Sequence, residues 1–263
     1  MIQRLAELSA QGKTVALCTV VKTSGSVPRH AGSKMLVFAD KSLEGTIGGG
    51  EMEHRVVEAA IAALKKGRAQ LVSYTLNDPS SGDPGICGGT VEVFVEPIIP
   101  QARILIVGAG HVGQALAHLA DWLDFRVEVN DDRPEFCTPE IVPQASAFFP
   151  GKLGDHLDEI NISETTYIVL STRNLEVDLD VLPELLKSSA AYIGVIGSKR
   201  RWETAKKELR NQGVSDTKLE RVRSPMGLEI HAETPEEIAL SILSEIVMIQ
   251  RGGNGKSMSA PPV

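Results

Sequence analysis

Ile104-Leu105-Ile106-Val107 runs without a gap into Gly108-Ala109-Gly110-His111-Val112-Gly113, a complete G-x-G-x-x-G. Few local patterns restrict a fold as much, because strand, turn and helix must all be present for the glycines to have a task. Gly108 makes the tight turn, Gly110 lets a phosphate-bearing ligand reach the backbone, and Gly113 lets the following helix pack against the strand. A helix N-terminus beyond the turn offers free N–H groups to an anion. A second strand, FRVEVND, ends in Asp131, 18 residues after Gly113. An acid at that place can accept from a ribose 2′-OH and favours NAD-like ligands, whereas Arg133 suits a 2′-phosphate.

The pattern after the turn keeps alternating between strand and helix. ASAFF, TYIVLST, AYIGVIG and ERVRSP read as strands, with helices through Leu119, from about Asp178, through Arg210 and from Thr234. Such alternation implies a parallel sheet covered on both faces. Thr234-Pro235-Glu236-Glu237 has the form of a capping box with proline in the first turn. Three more strand ends fall on the rim that holds the glycine turn. They carry Asp131-Asp132-Arg133, Ser171-Thr172-Arg173 and Gly197-Ser198-Lys199-Arg200. His111, Asp131, Arg133, Arg173, Ser198 and Lys199 are therefore candidate ligand contacts beside Gly108, Gly110 and Gly113. No Tyr-x-x-x-Lys pair marks a hydride-transfer site.

The first hundred residues follow another rhythm. A short helix carries Ile2, Leu5 and Leu8, and TVALCTVV, SKMLVF, a segment around 70–76 and TVEVFVEP read as strands. In the last, Val91, Val93 and Val95 alternate with Glu92, Phe94 and Glu96, the mark of a half-solvated strand. Gly45-Thr46-Ile47-Gly48-Gly49-Gly50 leads into a helix bearing Met52, Val56, Ala60 and Leu64, and its N–H groups form a candidate anion cradle. Ser24-Gly25-Ser26-Val27-Pro28-Arg29-His30 supplies small residues and a cation, Arg29. Cys87 lies between glycines in Gly85-Ile86-Cys87-Gly88-Gly89, where a thiol is open to a ligand, whereas Cys18 falls inside an apolar strand. The two prolines of EPIIPQ place a boundary near residue 100. The expectation is an α/β protein in three parts: a smaller α+β domain over 1–100, a Rossmann-type parallel sheet over 101–251 and a disordered tail over 252–263.

Composition narrows the function. The formal charge of -7 and the lack of a basic block argue against nucleic acid. No apolar run approaches the ~18 residues of a membrane span, and the start lacks the form of a signal peptide, so a cytoplasmic location is expected. Three widely spaced cysteines suggest neither a disulfide framework nor a structural zinc site.

Taken together, GSVPRHAGSKMLV, GTIGGGEME, CGGTVEVFVEP, ILIVGAGHVGQALA, DDRPEF, YIGVIGSKRR, SPMGLEI and TPEEIALSILSEI resemble the xanthine dehydrogenase accessory factor family, with its carbon-monoxide-dehydrogenase relatives. The resemblance implies a maturation protein rather than an enzyme. Such a protein binds the molybdenum cofactor (molybdopterin), assists its sulfuration from a cysteine desulfurase, and passes it to a molybdenum hydroxylase of xanthine dehydrogenase type. By matching positions, it implies cofactor contact at Cys87, which would act as catalytic thiol and soft metal ligand, at Gly48, Gly49 and Gly50, and at Glu53. The chain departs from the family in reading Thr172-Arg173-Asn174-Leu175 where relatives carry a Thr-Arg-Gly-His stretch. Two other readings stay open: an NAD(P)-dependent oxidoreductase, with NAD(H) as the candidate cofactor, and a nucleotide-sensing regulator. A homodimer that buries a cofactor is compatible with each.

Overall fold

The computed structural model describes residues 1–76 and 88–259. The chain divides into two compact units between Pro100 and Gln101.

The first unit is an antiparallel sheet with one long helix on it. Its strands are β1 (Val15–Ser24), β2 (Lys34–Phe38), β3 (Leu43–Gly45), β4 (Gln70–Thr75) and β5 (Thr90–Ile98), in the order β3-β2-β1-β5-β4. β1 lies at the centre because its alternation is apolar on both faces. Ala16, Cys18 and Val20 join Val91, Val93 and Val95 under α2 (Gly50–Lys66), while Val15 and Leu36 meet Leu8 of α1 (Ile2–Ala10) on the other side. The alternation in β5 is as the residues suggest: its three valines are buried and Phe94 is exposed. β3 is absent from the sequence reading, since its three residues hold a single large apolar side chain, Leu43, which is itself exposed.

The second unit is mixed α/β with six parallel strands. They are β6 (Arg103–Val107), β7 (Arg126–Asp131), β8 (Ala147–Pro150), β9 (Thr166–Leu170), β10 (Tyr192–Val195) and β11 (Val222–Arg223), in the order β11-β10-β9-β6-β7-β8. This is the doubly wound order in which the chain reverses direction between its first and fourth strands, here β6 and β9, and leaves a crevice at their carboxyl ends. α3 (His111–Trp122) and α7 (Pro235–Arg251) cover one face. The other is covered by α4 (Leu175–Leu185), α5 (Lys199–Asn211) and the short α6 (Asp216–Leu219). Buried strand residues such as Ile104, Leu105, Ile106, Ile168 and Leu170 have no accessible surface, as a two-faced parallel sheet demands. The capping box of α7 is present, with Glu237 N donating to Thr234 Oγ1 and the Glu237 carboxylate accepting from Thr234 N. α4 starts one turn before Asp178, because Asn174 Oδ1 accepts from Val177 N at 3.1 Å and caps it. Among the described residues, no helix is long and apolar enough to cross a membrane.

Candidate functional site

The glycine turn sits at the switch point between β6 and β9. Ser171 at the end of β9 donates its N–H to Val107 O at 2.8 Å and its hydroxyl to Gly108 O at 2.8 Å. The two strands therefore hold the turn from both sides. Gly108 has φ of +107°, and a Cβ there would lie 2.7 Å from Ser171 O. A Cβ on Gly113 would lie 1.9 Å from Gly108 O, which makes this glycine a packing necessity. Gly110 differs: a Cβ there would meet nothing within 4 Å, so the space above it is open. α3 begins with no side-chain cap and no acid in its first turn, and His111 is exposed as its first residue. The arrangement leaves N–H groups and the positive end of the helix dipole facing that open space.

Asp131 is differently disposed from a ribose acceptor. Its Oδ1 accepts from Arg133 N and Arg133 Nε, both at 2.9 Å. Its Oδ2 accepts from Arg133 Nη2 at 3.0 Å and from Ala109 N at 2.7 Å. A carboxylate offers about four lone-pair sites, and these four donors use them. Asp131 is 1% exposed. Burial pushes its carboxyl up, but the Arg133 guanidinium and the N–H groups of Arg133 and Ala109 more than reverse this, holding it below the usual carboxylate range. The Arg133 guanidinium also lies 3.7 Å from the centroid of the Phe136 ring, a stacked geometry that fixes the fork.

The rest of the rim is tied by two further acid–arginine pairs. Arg173 Nη2 donates to Asp132 Oδ2 at 2.6 Å, linking the ends of β7 and β9. Arg201 Nη2 donates to Asp178 Oδ2 at 2.5 Å and to Asn174 O at 2.9 Å, and Thr172 Oγ1 donates to Asp178 Oδ1 at 2.5 Å. Asp178 is fully buried. The signal for this anchor in the sequence is faint: an acid on the inner face of α4, opposite an arginine in the first turn of α5. Ser198 is spent as the α5 cap, accepting from Arg201 N at 3.2 Å. Lys199 is exposed.

In the first unit, the structure brings three predicted segments together. Ser26 forms a bridge with Gly88, and a Cβ on Gly89 would lie 2.3 Å from Ser26 O. A Cβ on Gly48 would lie 2.6 Å from Pro28 Cγ. Loop 24–28, the glycine loop and Gly88-Gly89 thus form one cluster, while Arg29 is exposed. Cys87 lies outside the described residues. The glycine loop is closed from within. Glu53 Oε2 accepts from Thr46 Oγ1 at 2.6 Å, Ile47 N at 3.1 Å and Gly49 N at 3.1 Å, and Gly48 N donates to Thr46 Oγ1 at 3.1 Å. The N–H groups of Gly48 and Gly49 are therefore committed to the protein's own groups, and Glu53 is the anion held by Ile47 N, Gly49 N and the Thr46 hydroxyl. Burial works to raise the Glu53 carboxyl, yet the Thr46 hydroxyl and these N–H donors hold it below the ordinary range. Cys18 has no accessible surface and burial pushes its thiol up to about 12, so it is core. Among the described residues, no group of three or more His, Cys, Asp or Glu side chains could hold a metal ion.

Comparison with known proteins is consistent across both units. A family model described as the XdhC Rossmann domain matches residues 104–246, and one described as the XdhC and CoxI family matches residues 8–75. An Escherichia coli (strain K12) protein named "Uncharacterized protein YqeB" is 33% identical over 258 residues, covering 97% of this chain and 47% of its own. A Bacillus subtilis (strain 168) protein, named as a probable subunit of xanthine dehydrogenase, is 32% identical over 162 residues, covering 62% of this chain and 47% of its own. The chain spans about half the length of these curated relatives. A crystal structure from Bacillus halodurans, described as a xanthine dehydrogenase, matches with a TM-score of 0.52 over 99% of this chain and 98% of that one, at 23% identity. That last match is a likeness of fold.

Proposed function

The chain belongs to the XdhC and CoxI family, the xanthine dehydrogenase accessory factors, and from this premise we propose that it binds the molybdenum cofactor and delivers it to a molybdenum hydroxylase of xanthine dehydrogenase type. The observation that carries the reading is the pairing, at one switch point, of open helix donors with a filled ribose acceptor. The uncapped start of α3 and the open space over Gly110 suit the phosphate of molybdopterin. Asp131, its lone pairs taken by Arg133 and Ala109, has nothing left for a sugar diol.

The roles of the first unit follow from its cluster. Glu53 sets the shape of loop 46–50 rather than touching cargo through Gly48 and Gly49, and Gly50 and Arg29 are left as candidate contacts. Cys87, as a thiolate, would be a soft ligand for molybdenum or sulfur. A cysteine desulfurase is the proposed sulfur donor, and the chain's role is that of a carrier with no turnover of its own.

Anaerobic purification of the full chain from molybdenum-cofactor-replete cells tests the reading. We expect bound pterin and molybdenum near one per chain, lowered by Cys87→Ser. The specific alternative is a nicotinamide dinucleotide on the glycine turn. It requires NAD(H) to bind the wild type without pterin, and affinity for NAD(H) to rise in Arg133→Ala, where Asp131 is released. Absence of pterin together with that nucleotide behaviour would replace the carrier reading.

A further inference from the structure

α7 carries a second stripe of side chains besides the one it buries. Ile242, Leu243 and Ile246 face the sheet with no more than 1% exposure. Glu236, Leu240, Ser244, Val247 and Arg251 recur at helical spacing on the outward side. Leu240 is 50% exposed, and Ser244 and Val247 are half-buried. The stripe borders a groove of about 660 Å³ between α7 and the last turn of α3, where Leu119, Trp122, Leu123 and Met248 also line it. Trp122 is 79% and Leu123 39% exposed. The chain after Gly252 turns back beside the groove, with Gly253 N donating to Met248 O at 2.8 Å. A single exposed apolar residue needs no explanation, but an open indole beside two open leucines over an apolar groove marks a contact surface.

The order of the stripe selects what covers it. Glu236 stands in the first turn of α7 and Arg251 in the last. Glu237, not Glu236, closes the capping box. Among the described residues, neither the Glu236 carboxylate nor the Arg251 guanidinium makes a hydrogen bond or ion pair. The stripe has a midpoint between Leu243 and Ser244, and inversion about that point exchanges Glu236 with Arg251 and Leu240 with Val247. A copy of α7 running the opposite way is therefore its complement. Each acid meets a base, each apolar side chain meets another, and the small Ser244 leaves room at the crossing. A copy running the same way would set acid against acid and base against base.

We propose that two copies of the chain associate through this face about a two-fold axis near Ser244, with their α7 helices antiparallel. Such an interface is isologous, so every contact is made twice. Glu236 of each copy pairs with the partner's Arg251. Leu240 packs on the partner's Val247 and enters the groove beside the partner's Trp122. Exposed ion pairs add little affinity, so burial of Leu240, Val247 and Trp122 holds the copies together and the charges set their direction. The glycine turn lies at the opposite end of α3 from Trp122, which leaves the crevice of each copy open. The inference is therefore independent of the carrier reading and of what the crevice holds.

Sedimentation velocity of the full chain, from low to high micromolar concentration, tests the interface. The expected species is a dimer that dissociates on dilution, and Leu240→Glu should weaken it at least tenfold. Glu236→Arg and Arg251→Glu should each weaken it at least threefold, because each sets like charges together twice. The double variant Glu236→Arg/Arg251→Glu should recover to within threefold of the wild type. The two positions are about four turns apart on one helix, so recovery must arise between chains. The double reversal also opposes the dipole of α7, so recovery cannot come from a firmer helix; circular dichroism checks that each variant is folded. Trp122 supplies a second readout. Of the two tryptophans, Trp202 is 7% exposed, so a red shift of emission on dilution reports Trp122 leaving the interface. A wild type that stays monomeric at high micromolar concentration, a dimer indifferent to Leu240→Glu, a double variant that fails to recover, or emission unchanged on dissociation would overturn the proposal.

Discussion

Loop 46–50 and turn 108–113 are both glycine-rich, both lead into a helix, and both meet a carboxylate of the protein itself, yet they are built for different ends. In the first, Glu53 gathers a hydroxyl and two N–H groups, all neutral and all from the loop it closes. In the second, Asp131 takes only Ala109 N from the turn and is otherwise neutralised by Arg133. One loop has spent its donors on its own shape. The other has kept its helix start open and set aside its carboxylate. A glycine-rich loop before a helix is therefore not an anion site until its N–H groups have been counted.

The largest expected effect separates glycines that pack from glycines that yield space. Gly113→Ala drives a Cβ into Gly108 O, 1.9 Å away, and strand and helix must part to relieve it. A loss of at least about 3 kcal/mol of stability is expected, read by urea denaturation. A loss below about 1 kcal/mol would show that the turn relaxes freely and that the close packing is not obligatory.

Glu53→Ala comes next. It strands Thr46, Ile47 and Gly49 donors in a partly buried loop, at a cost of roughly 2 kcal/mol. The pH dependence has a definite sign. The folded carboxyl is held below its ordinary value, so its contribution is complete above the unfolded value of about 4.3. It is lost as pH falls through the folded value. Glu53→Gln should flatten the part of the acid limb that belongs to this loop and leave that of Asp131. An unchanged acid limb would mean that the Glu53 hydrogen bonds are no stronger than those to water.

The sequence made the second unit more legible than the first. Its six strands, its capping box and its crevice follow from a glycine fingerprint in the right context and from apolar runs buried on both faces. What stayed hidden were the partners. Arg133 two residues after Asp131 reads equally as a phosphate ligand or as a clamp, and only the fold of the strand end makes it a clamp. Asp178 looked like a helix-start acid because Asn174, the true cap, is equally at home in a loop. Likewise the spacing from Gly49 to Glu53 is that of any helical first turn, and nothing in it states that the side chain reaches back to its own loop. Local sequence reports periodicity and backbone freedom well. It reports poorly on which of several nearby donors a carboxylate chooses, since that choice is settled by side-chain geometry.

The smallest effect on stability is expected where the largest effect on binding should be. Gly110 is the N-cap of α3 with φ of -70°, a value open to any residue, and a Cβ there meets no atom of the protein. Gly110→Ala should therefore change stability by no more than about 0.5 kcal/mol, since loss of a glycine cap and gain of backbone restraint are small and opposed. The added methyl group would nonetheless stand between the helix N–H donors and a phosphate. Cargo or nucleotide affinity should fall at least tenfold while the melting transition hardly moves. The matching substitution in the other loop, Gly49→Ala, also meets open space, but the N–H it would shield already belongs to Glu53. It should leave binding unchanged while costing stability through its φ of +77°. Equal loss of binding in both variants would break the contrast between the two loops, and loss in Gly110→Ala alone would place the working anion site at the start of α3.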